Sequence, residues 1–275
     1  FAFNFGPPSV PVPRRSCILT AYKMRSILPA VASILYVTPQ VASLSGGSVS
    51  PPLLPPVPAT SKRLFLVRHG EAIPPGGVPG VFYGALDVDL SELGKREAVA
   101  AGKFLADYDL RAVASSHLKR AIYGAERILE GQRAAGGSVL QFRGFGELDR
   151  GSWAGKKKEE IGEANMAAFD ACDPGSTPEG GESLRELRER VFEARDDLLA
   201  GVDPGCACTE VSHLWVTRCL LSEALDLGPE EMNGLVVATA SISCIDYCTK
   251  TGKRTLHFQS FKPEAGLVAS RDGAN

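Results

Sequence analysis

The stretch RLFLVRHGEA, residues 63–72, decides how the rest of the chain is read. Leu64 to Val67 form a short apolar run of the kind that parallel sheets bury on both faces. It ends abruptly in Arg68, His69, Gly70 and Glu71. The chain holds only four histidines, so one placed beside an arginine where a buried strand runs out draws attention to a site. Taken alone, the pair also fits a blander reading, in which Arg68 is a solvated charge and His69 a satisfied strand-end side chain.

Working outward, residues 73–80 (IPPGGVPG) are too rich in Pro and Gly for a helix or a central strand. Ser91 offers an N-cap to a helix over 92–108, with Leu93, Ala98, Ala101 and Leu105 near helical spacing. A strand over 111–116, a helix over 118–131 stopped at Gly131 and a strand over 138–143 follow. A long helix over 182–201 turns Leu184, Leu187, Val191 and Leu198 inward and stops at Gly201. Residues 208–213 read as a strand leading to a helix over 219–225, and 239–248 with 253–261 read as a hairpin. Strands alternating with helices predict an α/β domain, a three-layer sandwich with a mostly parallel central sheet and helices on both faces. Ligands of such sheets bind beyond the carboxyl ends of the strands, where His69 and His213 are both expected.

A chain of 275 residues with 44% hydrophobic content buries a core of one or two domains. Its net charge of −2 is unevenly spread, with no Asp or Glu before Glu71. Setting aside residues 1–61 and their four basic side chains leaves 26 basic against 32 acidic residues, a net of −6. Such a body does not bind nucleic acid through a general basic face, and an anionic ligand needs a local basic pocket. Residues 1–61 read as a targeting leader and disordered Pro/Ser-rich linker, and 62–275 as the folded domain. From Met24 onward, a basic residue, an apolar stretch over 27–37 and small residues at Ala42 and Ser43 follow the order of a secretory signal; a plastid or other organellar transit peptide competes. The apolar stretch is too short for a membrane span, so no membrane association is expected once the leader is removed. The tail after Phe261 is expected to be mobile. Seven scattered cysteines predict free thiols rather than a disulfide framework, and Cys206 and Cys208 lack the partners of a zinc site.

Five further segments change the weight of Arg68-His69: YGALDVDLSELG (83–94), SSHLKRA (115–121), FGELDRGSWAG (145–155), PEGGESLREL (178–187) and VSHLWVTR (211–218). With LVRHGE, and in this order, they closely resemble the histidine phosphatase superfamily, the phosphoglycerate-mutase-like fold, over residues 62–260. The resemblance implies that Arg68, His69, Arg120 and His213 form a phosphate pocket, that Glu147 is its acid/base, and that Gly70 is the close-approach glycine beside bound substrate. It implies no metal and no cofactor.

The chemistry of these residue types agrees. A phosphate monoester carries close to two negative charges, and its transfer is mainly positioning and charge stabilisation. Arginine forks hold phosphoryl oxygens bidentately. A neutral His69 can attack phosphorus and carry the phosphoryl group covalently, and nearby arginines disfavour its protonated form. His213 is expected as a cation or hydrogen-bond donor toward the transferred oxygens. Glu147 would protonate the leaving alkoxide and then activate water. Glu71, Asp149, His117 and His257 are read as non-catalytic, with His117 near the pocket rim.

Three departures stand out. No Asn follows the RHG segment, His117 stands where relatives often have proline, and Leu214 with Trp215 follow His213 where glycine is frequent, a bulk expected to narrow the pocket or redirect its amides. The main reading is a phosphomonoesterase for small phosphorylated metabolites, of the compact branch that includes α-ribazole-phosphatase-like proteins. Bisphosphoglycerate-dependent mutases usually carry a longer insert between acid/base and second histidine; here only 66 positions separate Glu147 from His213. A non-catalytic phospho-ligand-binding module is the reading from another class.

Overall fold

The computed structural model describes residues 52–132 and 137–263. The expected leader falls largely outside these residues, as does the chain beyond 263. Six strands form one sheet in the order β3-β2-β4-β1-β5-β6. They are β1 (Ser61–Arg68), β2 (Leu110–Ser116), β3 (Leu140–Phe142), β4 (Ala207–Ser212), β5 (Ile242–Cys248) and β6 (Arg254–Phe261). The first four are mutually parallel, while β5 runs antiparallel to β1 and to β6, and these two strands extend the sheet on one side. The helices are α1 (Glu92–Leu105), α2 (Lys119–Leu129), α3 (Lys158–Ile161), α4 (Glu163–Asp170), α5 (Leu184–Ala200) and α6 (Leu214–Ala224).

Alternation along β1 sets the three layers. Leu64 and Leu66 join a core with Leu187, Val191, Leu198 and Leu220 from α5 and α6. Phe65 and Val67 join a separate core with Ala101, Leu105, Ala121 and Ile128 from α1 and α2. Successive strand side chains point to opposite faces, so one continuous apolar run supplies two cores. This is the α/β three-layer arrangement expected from the sequence.

The structure refines several boundaries. Helix α6 begins directly after His213 rather than at 219; every residue from Leu214 to Thr217 is buried, so this first turn shows no amphipathic period. Helices α3 and α4 were not anticipated; they are short and separated by Gly162 at φ 90°, a conformation that favours glycine. Ser183 caps α5, its hydroxyl accepting from Glu186 N at 3.2 Å and Glu186 Oε2 accepting from Ser183 N at 2.8 Å. The end of the expected linker packs on the body: Leu54 and Val57 lie against the α1/α2 core, and Arg63 Nη1 donates to Pro55 O at 2.8 Å. Among the described residues all six cysteines are free thiols, and no helix is long and apolar enough to cross a membrane.

Candidate active site

Because β2, β4 and β1 are adjacent and parallel, their carboxyl ends open together. Register pairs Arg68 with Ser212, and His69 N donates to Ser212 O at 2.9 Å. The residues that follow β1 and β4, His69 and His213, therefore stand side by side, with ring centroids 5.1 Å apart. Helix α2 leaves the end of β2 and brings Arg120 to the same place, where its Nε donates to His69 Nε2 at 3.3 Å.

His69 is buried, and its Nδ1 lies 2.6 Å from Gly70 O. A carbonyl only accepts, so the hydrogen-bond network assigns the proton to Nδ1 and the lone pair to Nε2. Burial, then the guanidiniums of Arg120 and Arg68, hold this imidazole well below its ordinary value. Neutrality thus owes more to burial than to the arginines singled out in the sequence. Gly70 makes its close approach to the helix: a Cβ there would lie 2.2 Å from Gly94 O, and one on Gly94 would lie 2.0 Å from Glu71 O. The loop after β1 and the first turn of α1 meet backbone to backbone at these two glycines.

Arg68 is buried and donates from Nη1 to Val237 O at 2.6 Å, while its Nε and Nη2 have no partner among the described residues. Arg120 differs from the expected open fork. Its Nη1 donates to Leu86 O at 2.6 Å and its Nη2 to Gly84 O at 2.7 Å, and it lies 5.4 Å from the Tyr83 ring centroid. The YGAL segment therefore orients this arginine, leaving Nε directed at His69.

His213 is expected as a cation or donor, yet burial, then Arg120, hold it well below its ordinary value, so it is neutral here. Its Nε2 lies 2.8 Å from Ser116 Oγ, which itself accepts from Leu118 N at 3.1 Å. The hydroxyl keeps a second lone pair and its proton, so it can donate to His213 Nε2 or accept from it, and the contact fits the ring proton on Nδ1 or on Nε2. That Nδ1 is buried without a partner among the described residues. In its Nδ1–H tautomer His213 meets the donor half of the expectation. Ser116 was quoted within its motif but not recognised as a partner, because nothing in sequence marks which of two serines faces the histidine.

Glu147 is buried beside these groups, and its charge bears on Arg68 and Arg120. Oε1 accepts from Leu148 N at 2.9 Å and Trp215 N at 3.2 Å; Oε2 is buried with no partner among the described residues. Trp215 does not narrow the pocket with its ring, which lies in the α5/α6 core at 2% exposure. What reaches the site is its backbone N–H. Its ring packs instead against Arg218, 4.7 Å from the guanidinium, and Arg150, 5.5 Å away. Neither arginine was read as a neighbour of the site from sequence. His117 lies against Gly146, next to Glu147: a Cβ on that glycine would come 3.0 Å from His117 Cε1. His257 belongs elsewhere, bonded to Asp246 at 2.8 Å in a cluster with Arg63 at the opposite end of β1. Among the described residues no three His, Cys, Asp or Glu side chains are grouped to hold a metal.

The sequence profile of the histidine phosphatase superfamily (branch 1) matches residues 64–259. A bifunctional protein of Mycobacterium tuberculosis is 31% identical over 191 residues, 68% of this chain and 51% of that protein. The chain thus spans about half the length of that relative. A 2,3-bisphosphoglycerate-dependent phosphoglycerate mutase of Cytophaga hutchinsonii is 28% identical over 211 residues, 75% of this chain and 97% of the mutase. Among solved structures, a mycobacterial glucosyl-3-phosphoglycerate phosphatase superposes with a TM-score of 0.62 at 25% identity, covering 73% of this chain and 99% of that one. With two histidines, two arginines and a glutamate gathered at the strand ends and a family match across most of its length, the chain belongs to the histidine phosphatase superfamily, whose members are phosphatases or mutases.

Proposed function

We propose that this protein hydrolyses small phosphate monoesters through a covalent phosphohistidine on His69. The observation that carries the reading is the tautomer lock: Nδ1 is committed to Gly70 O, so the lone pair is on Nε2, beside Arg120 Nε. Phosphate entering the site takes over the Arg120 Nε–H and meets the two unpartnered nitrogens of Arg68. His213, through Nδ1–H, donates to a phosphoryl oxygen.

Nε2 then attacks phosphorus while the bond to the ester oxygen breaks. Protonated Glu147 gives its proton to the departing alkoxide. Oε1 is engaged by two backbone amides, so Oε2 is the oxygen that carries the proton. In the second half-reaction water attacks phosphorus, its proton passes to Oε2, and the phosphorus–nitrogen bond breaks to restore His69 and release inorganic phosphate. Charge stabilisation and positioning do most of the work, as in other phosphoryl transfers.

The segment between Glu147 and His213 is filled by α3, α4 and α5; because a mutase relative is matched over 97% of its length, hydrolysis and mutase chemistry are separated by assay. The substrate class is a small phosphorylated metabolite; the solved mycobacterial relative acts on a phosphoglycerate derivative. Incubation with a panel of phosphomonoesters should release phosphate and allow an acid-labile phosphohistidine to be trapped on His69. Undiminished hydrolysis by His69→Ala would overturn the nucleophile. Efficient interconversion of phosphoglycerates with negligible phosphate release would favour the mutase instead.

A further inference from the structure

The loop that carries Glu147 is fastened to α5 by one arginine and one glutamate. Arg190 Nη1 donates to Gly144 O at 2.9 Å and to Gly146 O at 2.8 Å, and its Nη2 donates to Glu147 O at 3.2 Å. One guanidinium thus grips three carbonyls within four residues, ending on Glu147 itself. Glu182, at the entrance to α5, completes the arrangement. It accepts from Arg190 Nε at 2.8 Å and pairs with Nη2. The same carboxylate accepts from Asp149 N at 2.9 Å, and Glu182 N donates to Asp149 O at 3.1 Å. Gly144 lets the loop lie flush on the helix, since a Cβ there would come 2.6 Å from Ala194 Cβ and 2.7 Å from Arg190 O.

We infer that Arg190 and Glu182 are positioning residues that set the place of the Glu147 carboxyl; the inference rests on the proposed role of Glu147 as proton donor. The backbone of residues 144–149 is held on both sides of Glu147, by Arg190 before it and by Glu182 after it. Its side chain is further restrained by the amides of Leu148 and Trp215 on Oε1. Displacement of the loop moves Oε2 relative to the ester oxygen without touching His69, Arg68 or Arg120. Misplacement of a reacting group by about an ångström costs on the order of a hundredfold in rate. A lysine cannot replace the arginine, because one ammonium has no planar fork to span three carbonyls and a carboxylate.

The test exploits the leaving group. An alkyl phosphate needs a proton delivered to its alkoxide, whereas p-nitrophenyl phosphate departs as a stable phenolate without one. The ratio of kcat/KM for an alkyl phosphate to that for p-nitrophenyl phosphate therefore reports proton delivery, and it does not depend on the fraction of enzyme that is folded. Glu147→Gln serves as the reference and should lower this ratio roughly a hundredfold. Arg190→Ala should lower it at least about tenfold, Arg190→Lys and Glu182→Gln by smaller factors. If Arg190→Ala does not fold, the two conservative variants carry the measurement. An unchanged ratio in the Arg190 and Glu182 variants, with the fall intact in Glu147→Gln, overturns the positioning role alone. An unchanged ratio in Glu147→Gln overturns the proton-donor reading on which it rests.

Discussion

Replacing Glu210 by Gln should stabilise the protein, and by an amount that grows with pH. Glu210 lies in the middle of β4, opposite Leu66 on β1 and Ala114 on β2, and is wholly buried. Burial raises its pKa from 4.5 to about 8, an effect that the nearby Ser212 hydroxyl offsets only in part. Between these values the folded protein keeps a proton that the unfolded chain has released. The unfolded state then binds fewer protons, so stability falls as pH rises, by about 1.4 kcal/mol per pH unit. The loss reaches about 3 kcal/mol at neutral pH and levels off near 5 kcal/mol once pH passes the folded pKa. Glutamine keeps the shape and cannot ionise. Urea unfolding of the two proteins from about pH 5 to about pH 9 should show the variant gaining on the parent along this slope. Contributions from the buried histidines are common to both and cancel. Parallel pH dependences would refute the reasoning, because they would mean that Glu210 ionises in the folded state as readily as in the unfolded one.

Other outcomes follow from the site and its supports. Gly94→Ala should displace the loop after β1, costing about 1–3 kcal/mol of stability and most of the phosphatase activity; wild-type activity with an unchanged melting temperature would contradict the backbone contact at Gly70. Imidazole NMR should show His69 and His213 uncharged at pH values where an exposed histidine is half protonated, and a His69 signal titrating near 6.5 or above would contradict its neutral form. Asp246→Ala should cost about 3–5 kcal/mol, since it strands the buried Arg63 guanidinium that Asp246 accepts at 2.7 Å. A smaller effect at high salt alone would mark the pair as solvent-screened.

Much of this protein is legible in local sequence because two periodicities and a few chemically distinctive residues carry it. Leu64–Val67 announces a strand buried on both faces, Leu184, Leu187, Val191 and Leu198 announce α5 by their spacing, and His69 and His213 mark strand ends. The start of α6 was hidden because its first turn is buried on all sides, which erases the amphipathic signal. Helices α3 and α4 were hidden because segments of four and eight residues are too short to establish a period.

By itself the sequence determined the alternation of strands and helices, the candidate site residues and their order along the chain, since these are properties of neighbouring residues. Only the tertiary structure decided how those side chains are used. Strand order placed β4 beside β1 and so His213 beside His69. Burial, more than the arginines, made both imidazoles neutral. The carbonyls of Gly84 and Leu86 took up the fork of Arg120, and Trp215 turned its ring into the core while its amide reached Glu147. Each of these depends on groups far apart in the chain, and desolvation and hydrogen-bond partners exist only once the fold has brought them together.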